Sequence, residues 1–170
     1  MKSVWTLLES ACAAPEVSRR TLLLGALSAV GLTACGQSAP RDSSERTSVV
    51  RLYKSPTCQC CSAWGEHLKQ NGFEVEFHNE TQINAFKASV GVPETLWSCH
   101  TALIGGYAIE GHVPASDIQR LLRERPAYQG LAVPGMPLGS PGMESGADRE
   151  AYEVLAYSAA AETVLWSRHE

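Results

Sequence analysis

Residues 48–61 read SVVRLYKSPTCQCC, a short β-like run followed by a proline turn and three closely spaced cysteines. The mixture of β-branched, aromatic and polar residues up to Lys54 predicts a strand. Ser55-Pro56-Thr57 interrupts that strand, and apolar residues at positions 61, 64 and 68 then follow the spacing of one helix face. The stretch therefore predicts a strand, a turn, and a helix that carries thiols at its start.

Further strand and helix signals follow this first helix. Asn71-Gly72 ends it, because glycine readily takes the left-handed conformation of a helix end. Residues 73–78 alternate between apolar and polar side chains and predict a second strand. Ile83, Phe86 and Val90 then recur at helical spacing, and Gly91 with Pro93 ends this second helix.

A hairpin and a third helix complete the pattern. The β-like runs 100–104 and 107–109 flank Gly105-Gly106, a two-residue turn that needs positive φ at both positions. Pro114 suits the first turn of a helix that directs Ile118, Leu121 and Leu122 inward. The resulting α/β order, β-α-β-α-β-β-α, resembles that of the thioredoxin fold. That fold keeps its reactive site at the first junction between strand and helix, where the cysteines lie here.

The remainder of the chain has a different character. Residues 131–146 are rich in glycine, proline and methionine, a composition that predicts an irregular Gly/Pro/Met loop. Residues 152–157 and 163–167 predict a C-terminal β-hairpin. We expect the thioredoxin-like domain to span residues 48–169.

The first 35 residues are typical of an export signal. Arg19-Arg20 precede the apolar run 21–34, which is shorter than the roughly 20 apolar residues needed to span a bilayer. The paired arginines favour the twin-arginine export route. Leu32-Thr33-Ala34-Cys35 is similar to a bacterial lipobox, so Cys35 is predicted to be lipidated.

Residues 36–47 are predicted to form a flexible tether between the lipid anchor and the folded domain. The net charge of the whole chain is −4, and no basic stripe is present that would indicate nucleic-acid binding. We therefore expect a periplasmic protein held at the membrane by its lipid, with no nucleic-acid partner.

The cysteine cluster supports more than one chemistry. Cys58 and Cys61 form a C-x-x-C motif, Cys60 adds a third thiol, and Cys99 precedes the predicted central hairpin, so that four thiols can meet. A helix start favours thiolates, which act both as redox nucleophiles and as ligands of soft metals. Metal binding, thiol–disulfide exchange and a pair of structural disulfides are all compatible with this pattern.

Other side chains are candidates around the cluster. Cys58, Cys61, Cys99 and His100 could form a tetrahedral zinc site, although Cys60 would then have no role. His100, next to Cys99, is a candidate ligand or neighbour of a ligand, although strand alternation would point the two side chains in opposite directions. Met136 and Met143 lie in the irregular loop and are further candidates. His112 is expected to be a structural or surface group.

The combined motifs resemble one family. They comprise the segments 55–64 (SPTCQCCSAW), 98–102 (SCHTA), 106–114 (GYAIEGHVP) and 130–143 (GLAVPGMPLGSPGM). They are similar to domain-of-unknown-function family 411, which includes the periplasmic copper-resistance proteins called CopG. In that family glycine usually follows the first cysteine, whereas this chain has Gln59.

The resemblance implies a thioredoxin-like fold that binds Cu(I) through Cys58, Cys60, Cys61 and Cys99, as one ion or as a multinuclear copper–thiolate cluster. Soft thiolate and thioether donors also favour Cu(I) over harder ions. The resemblance further implies a role in copper resistance or trafficking, with other periplasmic copper-handling proteins as partners. A metal-binding protein is thus favoured over an enzyme, and a periplasmic thiol–disulfide oxidoreductase is the alternative.

Overall fold

The protein is described here from a computed structural model, which covers residues 49–144, 146 and 148–170. The predicted export signal, the lipidation candidate Cys35 and the tether lie outside the described residues. Within the described part of the chain, no helix has the length and apolar character needed to cross a membrane.

The described residues form a mixed α/β structure around one seven-stranded sheet, with the strand order β2-β1-β3-β4-β5-β6-β7. The strands are β1 (Val50–Lys54), β2 (Val75–Asn79), β3 (His100–Ile104), β4 (Tyr107–Glu110), β5 (Gly130–Ala132), β6 (Tyr152–Tyr157) and β7 (Thr163–His169). The α-helices are α1 (Gln59–Gln70), α2 (Ile83–Ser89) and α3 (Ala115–Glu124), and a 3₁₀ turn covers Glu94–Leu96. β1 pairs in parallel with β2, and β4 with β5, whereas the other neighbouring strands are antiparallel.

The predicted element order is observed from β1 to α3, and the predicted C-terminal hairpin is β6–β7. The β3–β4 hairpin turns at Gly105 and Gly106, whose φ angles are +58° and +93°. Ile104 then lies opposite Tyr107 in the ladder. Positive φ at both central positions matches the right-handed twist of the flanking strands, which is why two glycines mark this turn.

The prediction of an irregular segment from residue 131 onward is wrong at its beginning. Gly130–Ala132 forms β5, which lies between β4 and β6 in the sheet. All three residues of β5 are buried, so the strand shows no alternation of apolar and polar side chains. A three-residue strand buried on both faces carries no periodic signal, and for that reason the sequence did not reveal it.

Two apolar layers cover the faces of the sheet. α1 and α3 contribute Trp64, Leu68, Ile118 and Leu121 to a cluster that also contains Ile109 of β4. The other cluster contains residues from the segment after α2 together with alternate strand residues, namely Val92, Leu96, Ala108, Ala132 and Tyr157. Successive residues of β4 and β5 therefore pack on opposite faces of the sheet.

Gly130→Ala should destabilise the protein by about 3 kcal/mol, the upper end of the usual cost of overpacking. A β-carbon at Gly130 would overlap the carbonyl oxygen of Ala108 in the neighbouring strand and lie 2.9 Å from the Tyr157 hydroxyl. Urea unfolding followed by circular dichroism measures the effect. The control is Gly106→Ala, where a β-carbon meets nothing within 4 Å and only the positive φ costs about 1–2 kcal/mol. Equal losses in the two variants would contradict the packing argument.

Candidate metal centre

The start of α1 positions three of the four cysteines. Cys58 is the extended residue just before the helix, and Cys60 and Cys61 lie in its first turn. The turn that leads there is closed by the Cys58 N–H, which donates to the Ser55 carbonyl at 3.1 Å. The first turn holds no acidic residue, and no side chain caps its amides. The three cysteines therefore lie at the positive end of the helix dipole, where negative charge is stabilised.

Pairing of β1 with β3 brings Cys99 to the same place. The two strands are antiparallel with Lys54 opposite His100, so the chain leaves β1 where it enters β3. Cys99 Sγ lies 3.9 Å from Cys60 Sγ, which in turn is 3.5 Å from Cys58 Sγ. The sulfur atoms of Cys58, Cys60, Cys61 and Cys99 all lie within 4.8 Å of one another. We call these four residues the cysteine group.

The cysteine group is partly oxidised in the structure. Cys58 and Cys61 are joined by a disulfide with a Cα–Cα distance of 5.5 Å, whereas Cys60 and Cys99 are free thiols. Metal ions bind thiolates, so the joined pair has to be reduced before all four sulfurs can act as ligands. The same positions can thus hold either a disulfide or a metal ion.

Two histidines extend the group. The Cys99 sulfur lies 3.2 Å from His100 Nδ1 and 3.0 Å from His112 Nε2. The prediction that Cys99 and His100 point in opposite directions is wrong, because β3 begins at His100 and Cys99 precedes the regular strand. The expectation that His112 is a structural or surface group missed its place beside a site sulfur. His112 is buried and follows β4, whose Glu110 lies opposite Thr101 of β3. The pairing register of the β3–β4 hairpin could therefore have predicted that His112 lies near Cys99.

Burial keeps these groups uncharged. Burial, together with the nearby His112 and Lys87, holds the pKa of His100 well below its usual range. Burial also lowers the pKa of His112. For Cys99, burial and then the neighbouring Cys60 raise the pKa to about 12. A metal ion can bind the lone pair of a neutral imidazole directly, whereas at a thiol it has to displace the proton.

The tautomer of His112 follows from its second nitrogen. His112 Nδ1 lies 2.7 Å from the Pro141 carbonyl oxygen, which can only accept, so Nδ1 carries the proton. In the neutral ring, the lone pair of Nε2 then accepts a hydrogen bond from the Cys99 thiol. A histidine held by a carbonyl on one nitrogen and open on the other is the usual arrangement of a metal ligand.

The irregular loop packs over the start of α1. A β-carbon at Gly142 would lie 2.7 Å from the Trp64 amide nitrogen and 2.8 Å from the Cys60 carbonyl oxygen. The loop is also tied to Ser98, whose hydroxyl donates to the Gly135 carbonyl. Met136 is 51% exposed and Met143 is half-buried, and ligation by either thioether stays a prediction.

The chain is similar to known proteins in sequence and in structure. The family model described as "Protein of unknown function, DUF411" matches residues 96–143. A solved structure named "Copper resistance protein copG- Form 1" is 43% identical with a TM-score of 0.68, covering 71% of this chain and 96% of its own. A second, named "Copper resistance protein copG- Form 2", is 42% identical with a TM-score of 0.69, covering 72% and 98%. The chain belongs to the DUF411 family of CopG-like proteins. No curated protein matches it.

The segment that matches the DUF411 model contains much of the site. Residues 96–143 include Cys99, His100, His112 and the loop that packs over them. Cys58, Cys60 and Cys61 precede that segment. The cysteine group therefore combines one sulfur of the matched segment with three sulfurs of a motif that lies outside it.

Gly142→Ala should open the loop and expose Cys60. Gly142 has a φ of +83°, and its neighbours on α1 leave no room for a methyl group, so the loop must move away. The control is Gly135→Ala in the same loop, with a φ of +74° and nothing within 4 Å of the added carbon. Both variants bear the positive-φ cost of about 1–2 kcal/mol, and Gly142→Ala bears a further ~1–3 kcal/mol for overpacking.

Maleimide labelling of the native protein, read by peptide mass spectrometry, measures the exposure of Cys60 and Cys99. We expect faster labelling in Gly142→Ala than in Gly135→Ala. Identical labelling rates would show that the loop does not shield the thiols.

Proposed function

We propose that the protein binds Cu(I) through the thiolates of Cys58, Cys60, Cys61 and Cys99 and serves copper resistance or trafficking. One observation carries the proposal: four sulfurs from two distant parts of the chain lie within 4.8 Å of one another. The likeness to two structures named copper resistance protein copG, at 42–43% identity, supports copper as the metal. Thiolates are soft ligands and favour Cu(I) over harder cations.

Zinc fits the arrangement less well. A tetrahedral zinc set would take Cys58, Cys61, Cys99 and His100 and leave Cys60 out. Cys60 Sγ lies 3.5 Å from Cys58 Sγ and 3.9 Å from Cys99 Sγ, so a zinc site would leave an unused thiol beside two of its ligands. Cu(I) accepts low coordination numbers and bridging thiolates, so every sulfur has a role in a copper site.

The potential ligands at the site fall into two groups that share Cys99. Cys99 belongs to two groups of potential ligands, the cysteine group and a second group formed with His100 and His112. A thiolate that belongs to both can bridge two ions. We therefore infer a multinuclear copper–thiolate site in which His112 Nε2 completes the coordination near Cys99.

Copper uptake by all four sulfurs requires reduction of the Cys58–Cys61 disulfide. Two electrons and two protons from a thiol reductant convert the disulfide to two thiols. Each thiol then releases its proton when a copper ion binds. Oxidation of the pair reverses these steps and removes two ligands.

Anaerobic titration of the reduced full-length protein with Cu(I), against a colorimetric chelator, tests the proposal. Cys58→Ser and Cys99→Ser should each weaken copper binding by more than about a hundredfold, beyond the loss typical when only a neighbour of a ligand is removed. Cys12→Ser is the control, because it makes the same change in the full-length chain at a cysteine outside the cysteine group. Wild-type protein that leaves copper with the chelator would exclude the proposal.

His112→Phe should lower the number of Cu(I) ions retained per chain, since the ring fills the same space without a nitrogen ligand. His78→Phe on β2 is the matched control. Copper content after chelator challenge, measured by atomic absorption, provides the readout. If His112→Phe retained as much copper as the control, the second ligand group would have no part in binding.

A second candidate function is thiol–disulfide exchange on a thioredoxin-like domain. The observation that favours it is the joined Cys58–Cys61 pair at a helix start, with the Cys60 thiol 3.5 Å from Cys58 Sγ. Against it, the position just before β3 is Cys99, whereas thioredoxin-fold oxidoreductases resemble one another in a proline there. Reduction of insulin without tight copper uptake would select this candidate.

We further propose that residues 1–35 direct export by the twin-arginine route and that Cys35 carries the lipid that holds the protein at the periplasmic side of a membrane. The support is the sequence pattern of paired arginines, apolar run and lipobox. Copper ions and other periplasmic copper-handling proteins are the expected partners.

A further inference from the structure

A buried ionic network near Cys99 joins α2 to β3 and β4. Lys87 of α2 donates to Glu110 Oε1 at 2.5 Å and to Thr101 Oγ1 at 3.1 Å, and Thr101 Oγ1 donates to Glu110 Oε2 at 2.6 Å. The side chains of Lys87 and Glu110 are 1% and 0% exposed. Burying two charges in this way is costly, and apolar residues of similar size can often replace such a pair without loss of stability. The network therefore calls for a reason beyond stability.

The network's backbone partner lies next to Cys99. Glu110 Oε1 also accepts from the Ser98 amide at 2.6 Å. On the other side of Cys99, the His100 carbonyl accepts from the Gly111 amide at 3.0 Å. Glu110 and Gly111 thus hold the chain immediately before and after Cys99, while the Cys99 side chain projects toward Cys60.

The charge of Lys87 also affects the pKa values of Cys99 and His100. It opposes the burial that raises the pKa of Cys99, and it contributes to the lowered pKa of His100. Burial raises the pKa of Glu110, and Lys87, Thr101 and the Ser98 amide oppose that rise by bonding to the carboxylate form.

We propose that Glu110, supported by Lys87, is a positioning residue of the metal site that holds the Cys99 sulfur within reach of the other three by fixing the Ser98 amide. This inference rests on the proposed copper-binding function. Neither residue touches the metal ligands' donor atoms, and both act through the backbone at Cys99.

The test measures Cu(I) affinity of the reduced full-length protein in two backgrounds, wild type and Cys99→Ser. The combined substitution Lys87→Met and Glu110→Leu removes the support of Ser98 without leaving a lone buried charge. In the wild-type background it should weaken Cu(I) binding about tenfold, the lower range for loss of a group that orients a ligand. In the Cys99→Ser background it should have almost no effect, because the residue it positions is already absent.

Two further variants identify the cause. Lys87→Met with Glu110→Gln keeps a carbonyl oxygen for the Ser98 amide and should recover most of the affinity. Tyr157→Phe removes another buried hydrogen bond, from its hydroxyl to the Ala108 carbonyl at 3.0 Å, and should leave copper affinity unchanged. If the Leu variant does not fold by circular dichroism, Thr101→Val replaces it, with a smaller loss that is again confined to the wild-type background.

The outcomes separate this inference from the proposed function. Absence of tight copper uptake in the wild-type protein would refute the proposed function itself. Tight uptake that the network variants leave unchanged would overturn only the positioning role. Equal losses in both backgrounds would also overturn it, since the network would then support the fold as a whole.

Discussion

Backbone pairing between β1 and β3 sets Lys54 opposite His100, and the candidate site lies at the end of that ladder. The same register sets Leu52 opposite Ala102, and both are fully buried in the core. A slip of one residue would turn these side chains to the other face of the sheet, so the core strongly opposes it. The proximity of Cys99 to the cysteines of α1 is therefore inherited from the packing of the core, and needs no metal ion to create it.

Burial of the site favours metal–thiolate bonds over free thiolates. Burial disfavours isolated charge, which raises the pKa of the Cys99 thiol and lowers the pKa of His100. A Cu(I) ion at this site would replace the thiol proton, and its positive charge would compensate the negative charge of the thiolate. The desolvation that makes Cys99 a poor nucleophile thus makes it a suitable ligand for a soft cation. This contrast favours metal binding over thiol exchange at that residue.

Much of the fold was predictable because its elements carry regular patterns. Helix spacing at Cys61, Trp64 and Leu68 and the paired glycines of the β3–β4 hairpin identified α1 and that hairpin. β5 was missed because all of its residues are buried and it is too short to show a period. His112 was missed for another reason: its approach to Cys99 depends on hairpin register and on the Pro141 carbonyl, a contact across 29 residues.

The oxidation state of the cysteines also lay beyond sequence reasoning, since four thiols at this spacing allow disulfide and metal alike. The surrounding groups are consistent with metal binding in addition to the disulfide. A Cys58–Cys61 staple would need neither the free thiols of Cys60 and Cys99 nor a histidine lone pair directed at one of them. His100 Nε2 is buried and has no hydrogen-bond partner within the described part of the chain. Burying polar atoms without partners costs free energy. Metal binding at this site would explain why so many donor atoms are buried together.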